Sequence, residues 1–398
     1  MDFSEDQFSS KLDTFFITGA TGLMGSEFLY EVLKKSSSAE CILLIRADTE
    51  KKLVSRLDAL LKYLFQKEGL VEEMSKRVTA VAGDVASDNL GLNEADWTKV
   101  TERSNYILHA AALTDWGANI EDATKVNVTG VEAVIRLAHS CGNKLKKMMH
   151  ISTAYISGVR TGEILPSEQN VVENACDNYQ ISKIKGEALV KAEFGNLPIT
   201  IVRPVAVVGN SLNGRTPTYK TFYYPLQMLY NGLPMILPVN RQGNLEAIPS
   251  DWAAKVMIEM MLDNTTNSKC YHLSNGDKVL TNSEVKNVVY KVFSDIGEKP
   301  NKTYYLPYWV YDKLGSKIIK MKVPGGEGLD EKLRLYRHYM TYKRIFNNTS
   351  TKDFSLDKGI FLPEFKDYLP VLVKYAIENK WRRKRDILSK RLNRKKDF

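Results

Sequence analysis

Apolar residues along the first two hundred positions follow two alternating spacings. Short, nearly unbroken runs occur at Phe15–Thr18, Cys41–Ile45, Val78–Gly83, Tyr106–Ala112, Met148–Thr153 and Ile199–Arg203. Runs of that length without polar alternation mark strands covered on both faces. Between them, apolar residues recur three and four apart. Ser26–Lys35 carries Phe28, Leu29, Val32 and Leu33 on one helical face, and Val126–Ala138 and Tyr179–Ala192 have helical spacing too. This alternation predicts an α/β fold built on a doubly wound parallel sheet of six strands.

Beyond Asn210 the pattern loosens. Residues 211–245 are rich in Pro, Gly, Asn and aromatics, Asp251–Leu262 predicts a helix, Cys270–Ser274 a strand, and from Leu280 the chain reads as helical and aromatic. The expected organisation is a dinucleotide-binding domain over 1–210 that also takes in about 247–276. A smaller, mostly helical and partly discontinuous C-terminal lobe would use 211–246 and 277–379, followed by a tail over 380–398. The most apolar long stretch, Phe222–Val239, is interrupted by Pro225, Asn231, Gly232, Pro234 and Pro238. A spanning helix needs about 20 mostly apolar residues, so this stretch is read as a greasy pocket wall instead.

Charge changes the picture at one place only. Ten Lys or Arg and two Asp between Lys380 and Phe398 supply +8 of the net +9, leaving a nearly neutral body. A solvated terminus and an anchor for acidic lipid or an acidic protein are the two readings of that tail; nothing else along the chain supports nucleic acid. The four cysteines, Cys41, Cys141, Cys176 and Cys270, form no CxxC pair, and the five histidines show no ligand spacing, so no metal site is expected. The polar N-terminus has no secretory pattern, and a cytoplasmic location is expected, peripheral to a membrane if the tail anchors there.

The first candidate site is FFITGATGLMGSEFLYEVL, where Gly19, Gly22 and Gly25 join the first strand to the first helix. Free N–H groups and the positive dipole end of a helix suit a pyrophosphate, and glycines admit it to the backbone. Thr21, Leu23 and Met24 belong to the same turn. At the end of the second strand, where NAD enzymes carry an acid for the ribose hydroxyls, this chain has Arg46, with Lys51, Lys52 and Arg56 nearby. A guanidinium matches a 2′-phosphate, so NADP(H) is the expected cofactor; Asp48 is the opposing feature.

The second candidate is Tyr179 with Lys183. Residues four apart share a helix face, so the ammonium can lower the phenol's pKa and tune it for proton transfer. The YxxxK spacing also occurs at Tyr30/Lys34, Tyr63/Lys67 and Tyr339/Lys343. Only Tyr179 follows a strand end, HISTAYISG, at the edge where open α/β sheets bind ligands. Thr153 at that end can hydrogen-bond a developing oxyanion. His109 and His150, on core strands, are expected to be satisfied structural imidazoles.

Together TGATGLMG, Ala82–Asp84, His109–Ala112, Val126–Gly130, ISTAYISG, YQISK and Ile201–Pro204 resemble the extended short-chain dehydrogenase/reductases. LLIRA, GDVASDNLGL, HISTAYISG, Ile248–Trp252 and YMTYKRIFNN are most similar to the thioester-reductase and fatty-acyl-CoA-reductase branch; HAAALTDWGANIEDA, with Trp116, departs from its wording. The resemblance implies that Asp84 and Val85 flank the adenine and that Ala110, Ala111 and Ala112 line the cofactor. It further implies that Asn127 orders a helix and a relay water, that Lys183 also binds the nicotinamide ribose, and that Pro204 packs beside the nicotinamide. The implied activity is NADPH-dependent reduction of an acyl thioester to aldehyde or alcohol, with the substrate on CoA or on an acidic acyl carrier protein. Two other readings stay open: an NAD(P)-dependent epimerase, dehydratase or dehydrogenase of a small polar substrate, and a non-catalytic dinucleotide-binding scaffold.

Overall fold

The computed structural model describes residues 13–168, 170–220, 222–231, 235–237, 240–276, 278–299, 302–322, 327–328, 330–331, 333–334, 339 and 343–382. Its centre is a sheet of seven parallel strands: β1 (Thr14–Thr18), β2 (Glu40–Ile45), β3 (Val78–Ala82), β4 (Tyr106–His109), β5 (Lys147–Ile151), β6 (Ile199–Pro204) and β7 (Lys269–Leu273). Their spatial order is 7-6-5-4-1-2-3, with every neighbouring pair parallel. The doubly wound fold is as expected; the seventh strand extends it. Val202 lies opposite Tyr271, so the chain leaves the sheet after β6 and returns to its edge about 65 residues later.

Side chains alternate across this sheet as the pleat requires. Phe15 and Ile17 enter a core layer with Phe28, Val32, Val202, Trp252 and Met257, while Phe16 enters the opposite layer with Ile42, Val131, Val134, Met148 and Ile201. The covering helices are α1 (Leu23–Lys35), α2 (Glu50–Phe65), α3 (Glu94–Arg103), α4 (Gly130–Cys141) and α5 (Asn178–Ala192). Two later helices are α6 (Tyr223–Tyr230) and α7 (Ser250–Leu262), the latter packing with α1 in the first layer.

A separate apolar core holds the rest. Phe222, Leu226 and Leu229 meet Val285, Val289 and Phe293 of α8 (Asn282–Asp295) and Phe365, Leu369 and Leu372 of α9 (Phe365–Glu378). Late in the chain, Arg344–Phe346 pairs in parallel with Gly162–Ile164 in the segment between β5 and α5. Trp381, at the start of the basic tail, is buried near Tyr219 and Tyr230, at ring distances of 6.1 and 6.0 Å. Trp381 is therefore held by the lobe while Lys380 before it is exposed, and residues 383–398 lie outside the described residues, as do 232–234 and 238–239 of the apolar stretch and 340–342 of YMTYKRIFNN. Among the described residues, no helix is long and apolar enough to cross a membrane.

Candidate active site

The glycine turn is fixed by close approach. Gly19 has φ +72°, and an added Cβ would lie 2.6 Å from the carbonyl carbon of Ala110 just beyond β4. A side chain there would meet both a strained backbone and a clash. Helix α1 starts at Leu23 with Gly22 as an N-cap that supplies no side-chain hydrogen bond, and no acidic residue lies in its first turn. Its opening N–H groups therefore have no intrahelical acceptor, beside a positive dipole end. These features fit a dinucleotide pyrophosphate.

At the end of β2, Arg46 is exposed and its carbonyl accepts a 2.7 Å hydrogen bond from Arg56 Nη1. Asp48 accepts one from Lys52 Nζ at 3.0 Å, which holds its carboxyl below the usual range. The opposing charge is thus paired with the first turn of α2. Asp84 accepts from the Ala86 N–H at 3.0 Å, and Val85 is buried where α4 begins at Gly130.

Thr153, Tyr179 and Lys183 come together at the carboxyl end of β5. Asp177 caps α5, accepting from the Gln180 N–H at 2.8 Å, and so sets the first turn that carries Tyr179. Thr153 Oγ1 lies 3.4 Å from the Pro204 carbonyl, to which it donates, and accepts from the Tyr155 N–H at 3.3 Å. Burial raises the Tyr179 phenol above its usual value, and a hydrogen bond with Thr153 pulls it part of the way back. Burial thus outweighs the lowering expected from Lys183, whose ammonium donates to the Ile151 carbonyl at 2.8 Å. Burial pushes Lys183 down to about 8, with Glu187 acting in the opposite sense. Glu187 is itself gripped by Arg203 at 2.6 and 3.0 Å.

Neutral groups lie beneath the ammonium. His109 Nδ1 shares a 2.8 Å hydrogen bond with Thr18 Oγ1 and its ring stacks on His150 at 5.3 Å. Burial and the Lys183 charge push His109 down to about 3 and His150 well down as well. His109 is satisfied as expected, whereas neither ring nitrogen of His150 finds a partner.

Asn127 sits in a π-helical turn, Lys125–Thr129, and braces the site from behind. Its side chain donates to Ser182 Oγ at 2.9 Å and to the Leu113 carbonyl at 3.0 Å, and accepts from the Leu113 N–H at 2.8 Å. An added Cβ on Gly186 of α5 would lie 2.1 Å from the Asn127 carbonyl oxygen, so the missing side chain lets the two helices touch.

Four further residues belong to the site: Tyr155, Tyr339 and Arg344, which sequence reasoning did not place there, and Trp116, noted only as a departure in wording. Tyr339, set aside as part of the lobe, donates to Asp177 Oδ2 at 2.6 Å. Its ring stacks on Trp116 at 3.7 Å and meets Tyr155 edge-on at 5.0 Å. Arg344 stands 5.5 Å from the Tyr155 ring. The one available signal was the departure of Trp116 from the branch wording.

A single cavity of about 460 Å³ joins these parts. Gly19, Gly22, Leu23, Met24, Gly25, Ala110 and Ala112 line one end, and Thr153, Tyr179, Lys183 and Pro204 the middle. Trp116, Tyr155 and Tyr339 also face it, and it continues past Phe222, Tyr223, Leu226, Leu229, Val285 and Val289 into the lobe. Thr21, Arg46, Asp84, Val85, Ala111 and Asn127 do not line it.

Residues 17–257 match the model of the NAD-binding family described as male sterility protein, more than half of the chain. The chain belongs to that family. It is 24% identical over 278 residues to the fatty acyl-CoA reductase wat of Drosophila melanogaster, covering 62% of this chain and 54% of that protein. It is 21% identical over 440 residues to fatty acyl-CoA reductase 8 of Arabidopsis thaliana, covering 85% and 88%. The chain thus spans about half the length of the Drosophila relative. Among solved structures it superposes on the terminal R domain of the myxalamid PKS-NRPS pathway with TM-score 0.79 and 22% identity, covering 94% and 92% of the two chains. The family sets the chain in the reductase-like branch of the extended short-chain dehydrogenase/reductases, with a nicotinamide dinucleotide as cofactor.

Proposed function

We propose that the chain is an NADPH-dependent reductase of acyl thioesters carried by CoA or by an acyl carrier protein. The observation that carries this reading is the continuity of the cavity, from the glycine turn past Tyr179 into a lobe walled by Phe222, Leu226, Leu229, Val285 and Val289. An acyl chain needs an apolar sleeve beyond its carbonyl, and this lobe supplies one.

In this reading Gly19, Gly22 and the first turn of α1 hold the pyrophosphate, and Arg46 meets the 2′-phosphate. The bound cofactor supplies the hydride. Thr153 and Tyr179 donate hydrogen bonds to the thioester oxygen as negative charge develops on it, and the phenol releases its proton there. A phenol raised by burial is protonated at neutral pH, which suits a donor. Lys183, anchored on Ile151, places a positive charge beside the ribose. Trp116, Tyr155 and Tyr339 exclude water around the reacting carbonyl.

The test is a panel of acyl-CoA and acyl-carrier substrates with NADPH and NADH, followed by nicotinamide absorbance. Turnover with NADPH is expected, and Tyr179→Phe is expected to cut it by about 10²–10⁴ while leaving dinucleotide affinity nearly unchanged. Parent-like turnover in that variant would remove the donor role. An epimerase of nucleotide sugars has the same fold, and Lys220, Asn282 and Lys286 also line the cavity, but the run of Phe222, Leu226, Leu229, Val285 and Val289 suits an acyl chain better than sugar hydroxyls. Stoichiometric NAD+ released on denaturation, with no thioester reduced, is the result that would favour it.

A further inference from the structure

Two cations line the lobe side of the cavity, Lys286 and Lys220, and an exposed third, Arg241, stands beside it without lining it; none of the three has a carboxylate partner among the described residues. Arg215, the other cation noted in that region, is engaged by Glu27 at 3.2 Å. Asn282, Val285, Lys286 and Val289 recur at one-turn spacing on α8 and all line the cavity, so Lys286 interrupts an otherwise uncharged stripe. The helix start is fixed by a capping box between Thr281 and Glu284. The Lys286 ammonium is held 5.5 Å from the Tyr290 ring and 5.7 Å from the Tyr305 ring. Those rings are anchored in turn, Tyr290 on Thr303 Oγ1 at 2.8 Å and Tyr305 on the Asn282 carbonyl at 2.9 Å. Arg241 Nε donates to Ser283 Oγ at 3.3 Å on the same helical turn, and Lys220 lines the cavity from an exposed position.

A half-buried ammonium on a largely apolar wall, with no carboxylate partner among the described residues, costs stability that an aliphatic side chain would not, and two tyrosine faces offset only part of that cost. Such a cation is explained by an anion that arrives with the ligand. We propose that Lys286, with Arg241 beside it and Lys220 at the rim, forms a phosphate-binding subsite that reads the phosphate of a pantetheine arm laid along α8, while the thioester carbonyl sits at Tyr179 and the acyl chain lies against Phe222, Leu226 and Leu229. The proposal rests on the thioester reading and names the part of the substrate which that reading left open.

The experiment compares one acyl group, decanoyl, on pantetheine, on 4′-phosphopantetheine and on CoA, in the parent and in Lys286→Met and Arg241→Gln. In the parent, phosphate-bearing thioesters are expected to exceed the phosphate-free one at least tenfold in kcat/KM, with the advantage shrinking as salt is raised. Each variant is expected to reduce that ratio to about threefold or less, with an unchanged melting temperature. An equal advantage for phosphopantetheine and CoA assigns the site to the phosphate that both carry; an advantage confined to CoA assigns it to the CoA diphosphate. Equal rates on all three substrates in the parent, or equal losses on all three in the variants, overturn the subsite. Should no thioester be reduced, calorimetric titration of the dinucleotide-loaded protein with 4′-phosphopantetheine separates the two claims. Binding weakened by the variants keeps the subsite and removes the reductase reading, whereas no binding removes the subsite.

Discussion

The charge on Lys183 should limit the enzyme on the alkaline side. The side chain is 2% exposed, its ammonium donates to the Ile151 carbonyl, and the acid that supports it, Glu187, is already gripped by Arg203. Burial therefore dominates and brings the group from 10.5 to about 8. At pH 7 roughly nine molecules in ten carry the charge; at pH 9 roughly one in ten does. If the ammonium is needed beside the ribose, kcat/KM should fall about tenfold per pH unit above 8, because that parameter reports the free protein. The assay is kcat/KM for an acyl-CoA between pH 6.5 and 10 at constant ionic strength, for the parent and for Lys183→Met. The variant should be slower throughout and lack the limb near pH 8. A parent profile flat to pH 10, or the same limb in the variant, would refute the assignment. The same shift has a thermodynamic counterpart. The unfolded chain holds this proton to higher pH than the folded one, so the group's contribution to stability increases between pH 8 and 10.5.

Three further outcomes follow from the geometry. Arg46→Asp should invert the cofactor preference, raising KM for NADPH at least tenfold while improving NADH; an unchanged ratio would show that the 2′-phosphate lies elsewhere. Tyr339→Phe keeps the ring on Trp116 but deletes the 2.6 Å bond to Asp177, and should cost about 1.5–3 kcal/mol in urea unfolding with a lower kcat; parent-like stability would mean that the bond carries no weight. Glu246, 5% exposed, is raised by burial from 4.5 to about 8, with Arg344 pulling it back. Its contribution to stability is complete below pH 4.5 and is lost as pH rises through 8, so Glu246→Gln should flatten the decline in melting temperature between pH 5 and 9; a parent-like slope would exclude this carboxyl as its source.

The sheet was legible because its strands are covered on both faces, and such strands write themselves as unbroken apolar runs. Gly19, Gly22 and Gly25 were legible because backbone approach to another strand leaves no alternative residue, as the 2.6 Å clearance at Ala110 shows. That Thr153, Tyr179 and Lys183 meet in one cavity could be expected from strand-end position, which depends on local pattern alone. The seventh strand was readable as a strand at Cys270–Ser274, but its place beside β6 was not, because parallel edge pairing leaves no mark in the spacing. Tyr339 was missed for a related reason: its partners, Asp177 and Trp116, lie 162 and 223 positions earlier, and no local rule links them. The lowering of Tyr179 by Lys183 failed because one-turn spacing says nothing of burial, which raises the phenol, while the ammonium itself is bonded to the Ile151 carbonyl.

The pairing of Arg344–Phe346 with Gly162–Ile164 bears on the order in which the protein becomes competent. The loop it clips joins Thr153 to Tyr179, so the two groups that act on one oxygen in the proposed reaction are tied by a segment synthesised long after both. A nascent chain that has finished its sheet already owns every residue of the proton-transfer set, yet it still lacks the staple that keeps them in step. A cut between residues 273 and 344 would keep all seven strands of the sheet and remove the strand that ties this loop.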